Sequence, residues 1–240
     1  MTLLILGVLF LVMYYQNYFL KLKQKEILVQ FEKNEIKQKL LLSQMNPHFI
    51  FNSIDMIQSL IYSKQENEAI LYLTKFSKLT RQILENSSEN YIYFEDEIEM
   101  LHNYMTIQLL LYSDSFDYEI IIDENIVQES ILLPPMLTQP FIENAIKHGL
   151  KNNGIKGDIK ISFSLNKEVL FFLITDNGVG FSEQKENIDH KSLAVKITKE
   201  RLESMSKNKS HTIISENIIN QKNDIVGAKV SFEIPYIYEK

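Results

Sequence analysis

Residues 139–149 read Gln139-Pro140-Phe141-Ile142-Glu143-Asn144-Ala145-Ile146-Lys147-His148-Gly149. Leu132-Leu-Pro-Pro135 ahead of them ends one segment and introduces a helix, and Gly149 fits a helix C-terminus. Phe141 and Ala145 share one side of that helix. Asn144, Lys147 and His148 fall within one helical turn and can converge on a single ligand. Two strand-like runs follow, Asp158–Ser164 and Val169–Thr175, and then the turn Asp176-Asn177-Gly178-Val179-Gly180. Taken alone, the turn reads as a hairpin, since Asn-Gly is a hairpin signal. Taken alone, the helix reads as a charged surface face. Helix, two strands and glycine turn in that order make a more specific pattern.

Upstream, Phe116–Ile122 begins with alternation and reads as a strand. Downstream, Ser182–Lys191 is polar and reads as a loop or lid. A helix is expected over Ser192–Met205, and strands near Thr212–Ser215 and Ala228–Ile234. The C-terminal part, residues 113–240, is therefore expected to be an α/β layer structure.

The middle, residues 21–112, reads as helical. Ile27, Phe31, Asn34, Gln38, Leu41 and Met45 follow 4-3-4-3-4 spacing, a weak coiled-coil seam. Ile50, Ile54, Ile57 and Ile61 form an apolar stripe on the next segment. Ser63–Asn67 is a polar turn. Ala69, Leu73, Phe76, Thr80 and Ile83 mark a second helix, and Ile98, Leu101, Met105, Leu109 and Tyr112 a third, over Glu95–Tyr112. Helices in hairpin form with an exposed seam lead to the expectation of a homodimer.

The run Ser43-Gln-Met-Asn-Pro47-His48-Phe-Ile-Phe-Asn52 interrupts this pattern. Pro47 removes a backbone donor and can bend a helix. His48, Asn52, Asp55 and Ser59 share a polar row, so His48 is expected at the surface. A lone surface histidine is usually just that. Here the imidazole lies beside a bend, and the neutral ring carries a nucleophilic nitrogen.

Leu3–Leu20 holds no charge and would make a helix about 27 Å long. That is near the hydrocarbon thickness of a bilayer. Tyr14, Tyr15 and Tyr18 cluster at one end, and Lys21, Lys23 and Lys25 follow. The aromatic belt and the positive-inside rule lead to a single-pass span over residues 1–20, with the rest of the chain in the cytoplasm. A signal peptide needs a basic start and a cleavage site of small residues, and neither is present. With almost nothing ahead of the span, no external sensor domain is expected in this chain.

Composition narrows the classes. The 240 residues are 45% hydrophobic, enough for a core. Gly and Pro number 7 and 5, which excludes collagen-like chains. The absence of Cys excludes disulfide scaffolds, thiolate metal sites and Cys nucleophiles. A net charge of -6 argues against direct nucleic-acid binding. His102, His190 and His211 lack metal-ligand spacing.

On these three motifs, Gln44–Asn52, Gln139–Gly149 and Asp176–Gly180, the chain resembles membrane sensor histidine kinases of the LytS-like family. The likeness covers roughly Gln38 to Pro235. It implies an α+β chain: a transmembrane helix, a helical hairpin for dimerisation, and a Bergerat-type α/β sandwich that binds ATP. It implies that His48 accepts the γ-phosphoryl group and that a response-regulator Asp receives it. It makes Asn144 a Mg²⁺ ligand and puts Lys147 and His148 at the phosphates. Asp176 would accept a hydrogen bond from the adenine amino group, with Gly178 and Gly180 turning closely beneath the base. Glu143 would help polarise a water or the attacking histidine. Phe49, not an acid, follows His48, so the base that takes the imidazole proton is unassigned.

The chain departs from the family pattern at Ser192 and Ala194, which stand where a second glycine pair is usual, although small residues there still let amides reach phosphate. Gly227-Ala228 stands for a Gly-Thr pair and loses a hydroxyl. These departures keep two alternatives in view: a non-catalytic nucleotide-binding or dimerising relative, and a plain ATPase of the same superfamily.

Overall fold

The computed structural model describes residues 7, 11, 13–28, 47–86, 89–112, 115–149, 156–166, 169–181, 198–203 and 212–239. Contacts divide the chain into two units, Met1–Pro47 and His48–Lys240. In the first, residues 13–28 form a helix, α1, with its side chains exposed. Among the described residues no helix is long and apolar enough to cross a membrane. Of the expected span, residues 1–6, 8–10 and 12 lie outside the described part, as does the expected seam beyond Ile27.

The second unit opens with a helical hairpin, α2 (Pro47–Tyr62) and α3 (Glu66–Asn86). The turn between them is made by Lys64 at φ +58, a left-handed residue just past the helix end. It lets the Gln65 amide donate to the Leu60 carbonyl at 2.9 Å. Glu66 and Glu68 then start α3 at the end where acidic side chains are favoured. Tyr72 on α3 donates its hydroxyl to Ser53 on α2 at 3.2 Å, and both residues are fully buried.

The buried stripe of α2 is Phe49, Ser53 and Leu60, not the isoleucine row. Ile54 and Ile61 are 42% and 59% exposed. The isoleucines are the stronger hydrophobic pattern, yet Ile50 and Ile57 are only half-buried and Ile54 and Ile61 are exposed. On α3 the buried residues are Ala69, Tyr72, Leu79 and Ile83, while Leu73 is exposed.

Helix α4 (Phe94–Leu111) is buried on most sides. It packs on α3 on one side and, on the other, on β1 (Ile92–Tyr93), β2 (Phe116–Ile122), β3 (Ile131–Leu133) and the 3-10 turn Gln128–Ser130. Its Glu95, Asp96, Glu99 and His102 keep an exposed strip, while Glu97, Asn103 and Gln108 are buried with the apolar residues.

The main sheet has the order β2-β4-β5-β7-β6, with β4 (Gly157–Asn166), β5 (Val169–Asp176), β6 (Ile214–Ile219) and β7 (Ile225–Ile234). β2 and β4 are parallel and the other pairs antiparallel. Alternation sets the inner face. Phe163, Phe172 and Phe232 are direct cross-strand partners, with ring centroids 5.5 and 5.0 Å apart. Phe94 of α4 and Phe141 of α5 (Gln139–Gly149) close over them at 5.0 and 5.1 Å. On the outer face, Lys160 pairs with its register partner Glu119, and Lys229 with Glu216. A second sheet, β1-β3-β8 with β8 (Ile237–Tyr238), carries the chain end, and Tyr93 donates its hydroxyl to Glu239. These strands of two and three residues leave no alternation to read. β6 and β7 also run further toward their connecting turn than the sequence pattern marks. Of the helix expected over 192–205, residues 198–203 are described and helical, and are called α6.

Candidate active site

Helix α5 is fixed by its apolar side. Phe141, Ile142, Ala145 and Ile146 are buried on β4, β5 and β7. That leaves Glu143, Asn144 and Lys147 on the other side. Glu143 and Asn144 are half-buried and Lys147 is exposed. The Glu143 carboxylate lies 3.8 Å from the Lys147 ammonium, one turn on, and Gln139 donates to it at 3.5 Å. His48 lies in the first turn of the described α2, and His148 near the end of α5. The side chains of both lie outside the described residues, as do Ser192 and Ala194 entirely.

Asp176 ends β5. Its Oδ1 accepts the Gly178 amide at 2.9 Å, which starts the turn. Asn177 ties the turn back to β4: its Oδ1 accepts the Asp158 amide at 2.8 Å, and its Nδ2 donates to the Lys156 carbonyl. Gly180 sits at φ +70, a conformation L side chains rarely adopt, and a Cβ there would lie 2.4 Å from Ile225 Cγ2. Phe181 is then held at both backbone groups by the Asn217 amide, at 2.6 and 3.2 Å. Asp176, Ala228 and Asn217 stand in one row across β5, β7 and β6. Gly227 lets β7 approach closely: a Cβ on it would lie 1.9 Å from the Asp176 carbonyl oxygen.

A buried carboxylate holds the entrance of α5. Glu97 on α4 is 2% exposed. Its Oε2 accepts the Met136 amide at 3.0 Å, and its Oε1 the Thr138 hydroxyl at 3.3 Å. Met136 has φ +59, and the Thr138 carbonyl accepts the Phe141 and Ile142 amides that begin α5. Arg201 on α6 donates to the Pro135 carbonyl at 2.8 Å. Burial pushes the Glu97 carboxyl up to about 7, against the pull of the Met136 amide, the Arg201 charge and the Thr138 hydroxyl.

Glu97 was not among the residues singled out from sequence. The signal was present. Phe94, Glu97, Leu101, Tyr104 and Gln108 follow 3-4-3-4 spacing, so an acid, a phenol and an amide stand within an apolar row. Asn217, in contrast, had no signal short of knowing the register of β6 on β7.

Glu143 and Asn144 carry side-chain oxygens on α5 that could serve a hard cation. Among the described residues no group of three acids or histidines could hold a metal alone. Mg²⁺ typically takes one or two protein oxygens and completes its shell with water and phosphate.

Residues 36–116 match the family described as histidine kinase. Sensor protein LytS of Staphylococcus epidermidis is 29% identical over 220 residues, covering 90% of this chain and 36% of that protein. Sensor protein LytS of Staphylococcus saprophyticus is 31% identical over 202 residues, covering 82% of this chain and 33% of that protein. The chain thus spans about a third of the length of these relatives. Among solved structures, the catalytic domain of histidine kinase ThkA matches with a TM-score of 0.44 at 17% identity, covering 60% of this chain and 94% of that one.

Proposed function

From a chain whose residues 36–116 match the histidine kinase family and whose sequence is related to the LytS sensor proteins, we propose a protein histidine kinase of a two-component system. Its His48 takes the γ-phosphoryl group of ATP and passes it to an Asp of a response regulator. The observation that carries this reading is the joint occurrence, in the unit His48–Lys240, of the helix bearing His48, the helix bearing Glu143 and Asn144, and the Asp176–Gly180 turn.

In this reading a ring nitrogen of His48 forms the new N–P bond. The P–O bond to the β,γ-bridging oxygen breaks, ADP leaves, and the imidazole N–H proton is lost to solvent. Asp176 accepts the adenine amino group, where guanine would present an acceptor. Gly178 and Gly180 keep the turn under the base free of side chains. Lys147 and His148 offset phosphate charge. Mg²⁺ would draw on Asn144 and would neutralise charge on the phosphate oxygens, with Glu143 orienting water or the imidazole. Ser192 and Ala194 offer backbone amides to phosphate.

We also propose that α2 and α3 pair with a second copy of the chain. Phe51, Ile61, Tyr62 and Ile70 are 65%, 59%, 86% and 63% exposed, apolar side chains that a second copy would cover. The apolar run Leu3–Leu20 would anchor the chain in the cell membrane, with the kinase part in the cytoplasm.

Labelling with γ-labelled ATP tests the activity: an acid-labile label is expected on the wild type and none on His48→Gln. Ser in place of Gly at 192 and Ala at 194 favour the alternative of a non-catalytic relative. That alternative predicts binding of a non-hydrolysable ATP analogue with no phosphohistidine.

A further inference from the structure

Phe49 follows His48 directly in α2 and is only 9% exposed. Its ring meets Phe76 of α3, with centroids 6.1 Å apart, and Tyr104 of α4, with centroids 5.5 Å apart. Ser53, one turn on and on the same side, is pinned by Tyr72. The start of α2 is therefore seated on α4 by the Phe49–Tyr104 ring contact and tied to α3 by a buried hydrogen bond.

Tyr104 lies two turns on from Glu97 on the same buried face of α4, and Glu97 binds the Met136 amide and Thr138 hydroxyl that lead into α5. Tyr104 is 4% exposed, and its hydroxyl is hydrogen-bonded to Gln108, one turn along α4. The Glu143 carboxylate of α5 lies within electrostatic reach of it: burial first, and then the Glu143 charge, push the phenol well above its ordinary range. Tyr104 thus stays protonated, with its ring toward Phe49 and its hydroxyl in the field of the residue beside Asn144. On α4, Gln108 is its bonded neighbour and Asn103 is engaged by Lys75 and donates to Gln82. On α5, the charge of Glu143 is shared with Lys147.

We propose that Phe49 and Tyr104 are positioning residues that seat the His48 end of α2 beside the Glu143–Asn144 helix of the same chain, so that phosphoryl transfer runs within one chain. This rests on the kinase reading above. It adds a role for the phenylalanine that stands where an acid could have followed His48. A ring that docks the histidine's own helix turn fixes the approach of the nucleophile, and effective concentration rises steeply with such alignment. The contact is made among side chains of α2, α3 and α4, so its effect falls on the transfer step and not on ATP binding.

Two readouts on the full 240-residue chain test this. One is the initial rate of His48 labelling with ATP and Mg²⁺. The other is the dissociation constant of a non-hydrolysable ATP analogue, measured by calorimetry. Phe49→Leu is expected to slow labelling at least tenfold while analogue affinity stays within twofold. Phe49→Tyr, which restores a ring, is expected to recover most of the rate. Tyr104→Phe keeps the ring and guards against a folding defect. It is expected to label faster than Tyr104→Leu, and the Leu substitution at 104 is expected to add little to Phe49→Leu. In dimers co-expressed from His48→Gln and Asn144→Ala chains, no label is expected. Label in those dimers overturns the proposal, because transfer then crosses between chains. Phe49→Leu that labels as fast as the wild type, or faster, also overturns it. Equal loss of rate and affinity in Phe49→Leu assigns the contact to folding and overturns it too. A wild-type chain that binds the analogue and never labels overturns the kinase reading and this proposal with it.

Discussion

Gly227 is where backbone packing and the proposed nucleotide site meet. With a Cβ placed 1.9 Å from the Asp176 carbonyl oxygen, no side chain fits without moving β7 off β5. Gly227→Ala is expected to lower stability by about 2–4 kcal/mol, in the range of severe overpacking. It is also expected to weaken ATP-analogue binding, because Asp176 moves with its carbonyl. Thermal unfolding and calorimetry check the two effects together. Glu97 is the second residue with a measurable signature. Its folded pKa of about 7 lies above the ordinary value of 4.5, so between these limits the folded chain binds more protons than the unfolded one. Stability from this group is present below about 4.5 and is lost as pH rises through 7, by up to about 3 kcal/mol. In Glu97→Gln that decline is expected to vanish, so the stability–pH curve between 4.5 and 7 is expected to be flatter than in the wild type. Denaturant titrations across that window decide it, and parallel curves would show that Glu97 does not titrate there. The Asp176–Gly180 turn was readable from sequence because its glycines sit beside Asp176 in the chain. Glu97 was harder to see, because its partners Met136, Thr138 and Arg201 are 39 or more residues away.

At the scale of the element, periodicity reports which face is apolar and not what covers it. The isoleucine row on α2 is a true stripe, but Ile54 and Ile61 are exposed and Ile50 and Ile57 only half-buried. Phe49, Ser53 and Leu60 make the inward stripe, and a serine in the middle disguises it. The same holds for α3, where Leu73 is exposed and Tyr72, its neighbour, is fully buried. A hairpin that packs on its own chain with one side and on a second copy with the other carries two apolar stripes. Sequence ranks them by hydrophobicity alone. A dimer through the outer stripe is expected to dissociate in Ile54→Glu and Ile61→Glu, since a carboxylate in a closed interface costs several kcal/mol. Sedimentation equilibrium checks this, and a variant that stays dimeric at micromolar concentration would place the interface elsewhere. Strands were readable where they are long. β2, β4 and β5 alternate cleanly over seven to ten residues, whereas β1, β3 and β8 have two or three residues each and form only because the chain end folds back onto them.

For the whole molecule, the unit His48–Lys240 holds all the described parts of the proposed reaction. α4 is the element that joins them, with the hairpin on one side and the sheets on the other. This joining role was not legible: the sequence marked one apolar row, Ile98 to Tyr112, while the second packing face carries Glu97, Tyr104 and Gln108 among its residues. The central claim is that ATP phosphorylates His48. Its most direct test is to incubate the full chain with γ-labelled ATP and Mg²⁺ and to follow label that is lost in acid and kept in alkali. Such label is predicted on the wild type, and neither His48→Gln nor Asn144→Ala is predicted to acquire it. Label that persists in His48→Gln, or a wild type that binds ATP and never becomes labelled, would contradict the account.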